Sequence, residues 1–172
     1  FGMPLGAREE RWLARFYPGM VEALRALDWN GDFEFAEVRV STDRVDRVTR
    51  FRCDLRFRLS DNTNVALKMT TFLMEGKDPY VIDDALTPVD HRNWVRTTYS
   101  MRYGVGQDSF FRVDCHEPGP EKHHVHLPPN LKEHLPPAAV DPDTSTLDPP
   151  AFVRLVAECR ATGVSPLRRK YP

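Results

Sequence analysis

Hydrophobic and polar residues alternate along several segments between residues 33 and 127, which is the pattern of β-strands with one buried face. The clearest segment is RFRCDLRFRL, residues 50–59, where apolar and charged side chains take opposite faces. Its predicted buried face carries Phe51, Cys53, Leu55, Phe57 and Leu59. The same alternation predicts further strands at 33–40, 65–74, 93–103, 109–115 and 124–127. Turn-forming residues between the segments, such as SDNT at 60–63, predict antiparallel connections.

Apolar residues recur at helical spacing towards both ends of the chain. The N-terminal helical region, 7–29, is interrupted at Pro18, where a helix must break or restart. A C-terminal helix is predicted at 149–162. Asp148 is placed to act as its N-cap, and Gly163 lies just past its end.

These elements fit one α+β domain over residues 1–172. We expect a mostly antiparallel sheet of five to six strands within 33–127, with the N- and C-terminal helices packed on one face. The segment 128–148 is rich in proline, so it should run as an extended wrap between the sheet and the last helix. A chain of 172 residues with 41% hydrophobic residues can bury a single core of this kind.

The composition limits the classes of partner and the compartment. A formal net charge of −1 argues against attraction of the whole protein to nucleic acid or to a membrane surface, so any such attraction must be local. Cys53, Cys115 and Cys159 are few and widely spaced, which favours a reducing cytoplasm over a disulfide framework. No apolar run approaches the roughly 20 residues of a membrane span, and no signal peptide is visible, so no membrane partner is expected.

The polar face of the predicted sheet is locally basic. Four arginines lie within residues 50–58, and cationic residues of later strands have the phase to join them. The candidate nucleic-acid-binding set is Arg50, Arg52, Arg56, Arg58, Lys68, Arg96 and Arg102. One interpretation is a solvated face with cross-strand ion pairs. The other is a platform for phosphate groups, because the guanidinium fork matches phosphate oxygens.

Histidines cluster in CHEPGPEKHHVHLPP, residues 115–129, which holds four of the six histidines in the chain. If residues 109–116 and 124–127 form a hairpin, alternation gathers several chemically active side chains on the polar face. That set is Arg112, Asp114, His116, His124 and His126. In this hairpin Asp114 and His116 would stand across from His126 and His124, while His123 falls on the apolar side or in the turn.

Such a patch supports two chemistries, and a purely structural polar cluster is the third interpretation. In the first chemistry, His124 and His126 transfer protons, with Asp114 as orienting carboxylate and Arg112 stabilising charge on a phosphate. His116 is a further candidate for this catalytic set, which needs no cofactor. In the second, His116, His124, His126 and Asp114 bind a divalent transition metal such as zinc.

The order of motifs over about residues 50–160 resembles the TumE-like toxins of bacterial type II toxin–antitoxin pairs. The resemblance is carried by an arginine-bearing strand, YSMRY at 99–103, FFRVD at 110–114 and HHVH at 123–126, followed by prolines and a helix. The family has an asparagine after the strand-final aspartate, where this chain has Cys115 and His116. The resemblance implies a toxin that a separate DNA-binding antitoxin neutralises.

The leading hypothesis is therefore a cytoplasmic toxin that acts on RNA as a metal-independent ribonuclease, with a cognate antitoxin as partner and a homodimer as one possible state. The arginine and histidine pattern supports the ribonuclease part, and other small toxins support it only by analogy. The alternatives are a non-catalytic module that binds a protein or nucleic-acid partner, and a protein with a His/Asp transition-metal site.

Overall fold

The computed structural model describes residues 5–28, 32–45, 48–75, 86–88, 93–106, 108–116 and 123–171. Within these ranges the helices are α1 (Ala7–Phe16), α2 (Met20–Leu27) and α3 (Pro149–Thr162), with a 3₁₀ turn at Pro137–Ala139. The strands are β1 (Phe33–Val45), β2 (Val48–Leu59), β3 (Asn64–Glu75), β4 (Leu86–Pro88), β5 (Asn93–Val105), β6 (Asp108–Cys115), β7 (His123–His126), β8 (Val140–Asp141) and β9 (Arg168–Arg169).

The main sheet is antiparallel and follows the order of the chain. The order of the strands across the sheet is β1-β2-β3-β5-β6-β7. The short strand β4 pairs with one end of β5 and is the seventh strand of the sheet. Strands β8 and β9 form a separate two-stranded ribbon. The predicted α+β class is confirmed, because an antiparallel sheet of six consecutive strands, with β4 added at β5, packs against three helices.

One face of the sheet carries the core, as the alternation predicts. In β2 all five predicted inward residues are buried, and the arginines between them face away from the core. The amphipathic helices α1 and α2 and the C-terminal α3 bury their apolar sides against this face in one continuous cluster. Core residues from the helices include Leu13, Met20, Leu24, Phe152, Val153 and Val156. The opposite sheet face is thereby left for polar side chains.

The helix boundaries follow from local chemistry. Pro18 lies in the turn between α1 and α2, and Gly19, whose φ is 89°, precedes the first residue of α2. The second helix therefore begins at Met20, two residues after the proline. At α3 the side chain of Asp148 accepts a hydrogen bond from the Ala151 amide at 2.8 Å, and Gly163 ends the helix with φ 71°.

The proline-rich segment runs along the free edge of β7. Val125 and Leu135 exchange two backbone hydrogen bonds of 2.9 Å in an isolated antiparallel bridge. Both side chains are buried, so the alternation around this bridge puts His134 on the face that carries His124 and His126. Further along, β8 pairs with β9 near the C-terminus. Among the described residues, no helix has the length and apolar character needed to cross a bilayer.

Replacing a buried aromatic residue where sheet and helix meet should destabilise the fold strongly. Phe111 is fully buried, with ring centroids 5.6 Å from Tyr103 and 5.4 Å from Phe152. We expect Phe111→Ala to lower the free energy of unfolding by about 3–5 kcal/mol, measured by chemical denaturation. The neighbouring, partly exposed Phe110 is the matched control, and Phe110→Ala should cost less than about 1 kcal/mol. Equal losses at the two positions would contradict the assigned strand phase.

Candidate functional site

The pairing of β6 with β7 places the histidines of residues 123–126 beside Asp114, near the end of β6. The register pairs Arg112 with His126, Asp114 with His124 and Cys115 with His123. The predicted facing of Asp114 with His126 and of His116 with His124 is therefore wrong by a shift of two residues. The core explains the difference, because Val113 pairs with Val125 and both are fully buried. A register shift of two residues keeps every side chain on its predicted face of the sheet. The alternation of apolar and polar residues therefore cannot distinguish the two registers.

Asp114 is the centre of the cluster. Its side chain is buried, and its Oδ2 lies 2.7 Å from Arg112 Nε and 3.1 Å from His126 Nε2. The Nε2 atoms of His124 and His116 lie 3.7 Å and 3.8 Å from the same oxygen. Burial raises the pKa of Asp114, but the hydrogen bonds from Ser100 and Arg112 and the positive charge of Arg112 outweigh it, so the pKa lies below its ordinary value. The site thus holds a buried negative charge at neutral pH.

His126 forms a carboxylate–imidazole pair with Asp114. Since the carboxylate accepts, His126 Nε2 donates and carries the ring proton in the neutral tautomer. Its Nδ1 then presents a lone pair, and this atom is buried without a hydrogen-bond partner in the described structure. An unsatisfied buried nitrogen is costly, so this atom is available to bind a further group such as a water molecule or a metal ion.

His134, from the proline-rich segment, also belongs to this cluster. It is not among the site residues expected from the sequence. Its ring stacks on His124, with centroids 4.4 Å apart and planes 3° from parallel, and meets the ring of His126 edge-on at 4.8 Å. The bridge between Val125 and Leu135 brings it there. The one sequence signal is weak: Leu135 is an apolar residue within a polar, proline-rich stretch, and His134 precedes it.

Two overlapping sets of potential metal ligands result. In the first set, nitrogen atoms of His124, His126 and His134 all lie within 4.8 Å of one another. In the second set, a carboxylate oxygen of Asp114 and nitrogen atoms of His116 and His124 also lie within 4.8 Å of one another. The four-residue metal set expected from the sequence is thus divided between the two. The three-imidazole set is typical of zinc and related ions, with Asp114 behind His126 as an orienting carboxylate.

His123 lies on the other face of β7, as predicted. Its Nδ1 is 2.8 Å from the Tyr99 hydroxyl, which donates to the Leu147 carbonyl at 3.1 Å. Tyr99 can therefore accept a hydrogen bond from His123. Burial, reinforced by the nearby His124, lowers the pKa of His123 from 6.5 to about 4. This histidine is a neutral structural residue at physiological pH.

The basic face is divided into two parts. At one end of β2, Arg50 makes two hydrogen bonds of 2.8 and 2.7 Å to Asp43, and Arg52 lies 3.6 Å from the same carboxylate. Towards the other end a depression of about 510 Å³ is lined by Arg56, Arg58, Lys68, Arg102 and Arg112 among others. We call this depression the basic groove.

Acidic residues neutralise only part of the groove. Arg56 lies 3.2 Å from Asp54, and Arg58 lies 3.5 Å from Glu34. Arg102 and Arg112 stand directly opposite each other in the β5–β6 register, and the Asp114 carboxylate, 2.7 Å from Arg112 Nε, offsets part of this like-charge repulsion. Arg112 also belongs to the histidine cluster, so groove and cluster are continuous. The register gives Arg96 the same phase, but its side chain lies outside the described residues.

Comparison of the chain with models of known protein families, with curated proteins and with solved structures finds no match. The resemblance to TumE-like toxins rests on the quoted motifs and stays a prediction.

The buried His123 should make stability depend on pH. The pKa of His123 is about 4 in the folded protein and 6.5 in the unfolded chain. Between these pH values the unfolded chain therefore binds more protons than the folded protein, and the free energy of unfolding decreases as the pH falls. This contribution should reach about 3 kcal/mol at pH 4, as measured by urea denaturation from pH 7.5 to pH 4. His123→Gln should remove it. Tyr99→Phe is the matched control, since it deletes the hydrogen bond but keeps a buried histidine. Parallel pH profiles for wild type and His123→Gln would refute the assignment.

Proposed function

We propose that His124, His126 and His134 bind a divalent transition metal ion and that the protein uses it to hydrolyse phosphodiester bonds of RNA. Two observations carry this proposal: nitrogen atoms of the three imidazoles lie within 4.8 Å of one another, and the buried Nδ1 of His126 has no hydrogen-bond partner in the described structure. A bound ion would satisfy that lone pair. Asp114 would hold the opposite ring nitrogen and keep the imidazole in the ligating tautomer.

Neighbouring residues support phosphate chemistry in particular. A divalent ion at this position would lower the pKa of a bound water molecule and polarise a phosphate oxygen. Arg112 connects the histidine cluster to the basic groove, where Arg102 and Lys68 would bind flanking phosphates of a single strand. Hydrolysis adds a hydroxyl group to phosphorus and breaks the bond to the ribose oxygen. His116, whose side chain is exposed beside Asp114, would give that leaving oxygen its proton.

A second candidate is the metal-independent ribonuclease with His124 and His126 as the acid–base pair. The Asp114–His126 hydrogen bond favours it, because such a carboxylate orients a catalytic imidazole. It is less well supported because the side chain of His126 is only 6% exposed and would have to reach a polymeric substrate. If this chemistry operates, His116, with a side chain 61% exposed beside Asp114, is the better proton donor.

The biological setting that we propose is a cytoplasmic toxin with a cognate DNA-binding antitoxin. Its support is the resemblance of the motifs at 99–103, 110–114 and 123–126 to TumE-like toxins, together with three cysteines that are all free thiols. A homodimer is compatible with this role.

Metal binding should depend on the three-imidazole set. We expect protein purified without a histidine tag and equilibrated with zinc to retain about one ion per chain, measured by elemental analysis after dialysis. His126→Gln and His134→Gln should lose this ion. Asp114→Asn should weaken zinc binding about 10–100-fold, because it removes the carboxylate that orients His126.

Two histidines outside the set give the controls. His123→Gln should retain the ion, and His116→Gln should retain it unless the set of Asp114, His116 and His124 is the true site. RNA cleavage that requires the ion and all three ligands supports the proposal. Cleavage that persists in chelator but is lost in His124→Gln would favour the acid–base mechanism, and RNA binding without cleavage would favour a non-catalytic module.

The salt dependence of RNA binding tests the groove. Each phosphate contact with a single strand contributes about 0.7 to the slope of log affinity against log salt concentration. We expect Arg102→Ala to reduce the slope by about this amount, as measured by fluorescence anisotropy with a labelled oligoribonucleotide. Arg52→Ala, at the Asp43 end of β2, should leave the slope unchanged. Equal effects of the two variants would exclude a localised binding groove.

A further inference from the structure

A second cavity lies away from the histidine cluster, between the end of α3, the residues after β7 and the C-terminal tail. Its volume is about 830 Å³, and its walls are mainly apolar, with Phe110, Leu127, Pro128, Pro129 and Leu167 among the residues that form them. We call it the tail cavity. None of its residues belongs to the proposed metal site, so an inference about it does not depend on that proposal.

Exposed apolar side chains lie at or next to the residues that line the cavity. Among the described residues, the exposed large hydrophobic side chains are Val105, Phe110, Val164 and Tyr171, with exposures between 38% and 80%. Phe110 lines the cavity, and Val164 lies between the lining residues Gly163 and Ser165 in the chain. Exposed apolar side chains beside an apolar cavity favour an occupant that extends beyond the cavity over a small molecule that only fills it.

The residues that line the cavity include more basic than acidic side chains. Arg168 and Arg169 line the cavity, and Lys170 follows them. Glu133 is the one acidic residue among the described lining residues, and Arg169 Nη1 already contacts it at 2.6 Å. Arg168 is exposed in β9, and none of the ion pairs among the described residues involves it. The complementary occupant carries carboxylates next to apolar side chains.

We propose that the tail cavity binds a short acidic, amphipathic peptide segment of another protein. One or two apolar side chains of that segment fill the cavity and cover Phe110 and Val164, and its carboxylates lie over Arg168. The combination of a pocket for an apolar anchor and a charged rim is the usual anatomy of a peptide-binding surface.

Selection from a phage-displayed library of random twelve-residue peptides against the full chain tests this directly. We expect enriched peptides to combine acidic residues with large apolar residues. A selected peptide, synthesised with a fluorophore, should bind in anisotropy measurements. Arg168→Glu and Val164→Asp, which change exposed side chains, should each weaken that binding at least about tenfold. Arg52→Glu, a charge reversal at the Asp43 end of the sheet, is the matched control and should leave binding unchanged.

Several outcomes would overturn the proposal. Enrichment of basic peptides, or no enrichment, would exclude an acidic peptide as the occupant. Binding that is insensitive to both Arg168→Glu and Val164→Asp would place the contact elsewhere. Sedimentation that shows a dimer abolished by Val164→Asp would make the occupant a second copy of this chain. Because the metal site is separate, failure here leaves the RNA hydrolysis proposal unaffected, and the reverse is also true.

Discussion

The buried carboxylate of Asp114 is the interaction on which the histidine cluster depends. A negative charge removed from water must be compensated, and here Arg112 lies 2.7 Å and His126 3.1 Å from one of its oxygens. The contact with His126 fixes the orientation of its ring and leaves its second nitrogen without a hydrogen-bond partner in the described structure. The strand β6 supplies both Arg112 and Asp114, and β7 supplies two histidines, so a regular antiparallel pairing assembles most of the site.

The division of the sheet into two faces explains why the site lies where it does. The buried apolar residues of the long strands pack against the helices, so charged side chains accumulate on the other face. The edge strand β7 is short and would otherwise expose unpaired backbone groups. The proline-rich segment covers part of that edge by the Val125–Leu135 bridge, and in doing so delivers His134. A single stretch of chain thus protects the sheet edge and completes the three-imidazole set.

Residue patterns predict the repetitive part of this structure well and the irregular part poorly. Alternation in 50–59 and the end signals of α3 identify the buried residues and helix limits, because each depends on local chemistry. The same alternation finds the polar face that carries Asp114 and His126. It does not predict the β6–β7 register, which depends on the packing of Val113 on Val125. It also does not predict the position of His134, which lies in a segment without periodicity and is brought to the cluster by the Val125–Leu135 bridge. Burial of Asp114 is likewise a property of the assembled cluster rather than of its strand.

The central claim is that three imidazoles converge on one divalent ion. X-ray absorption spectroscopy of the zinc-loaded protein measures this most directly, because it reports the type and number of ligands around the metal. We expect nitrogen or oxygen ligands at about 2.0–2.1 Å, no sulfur, and outer-shell scattering from about three imidazole rings. A first shell that contains cysteine sulfur, or one without imidazole scattering, would contradict the assignment of His124, His126 and His134 as ligands.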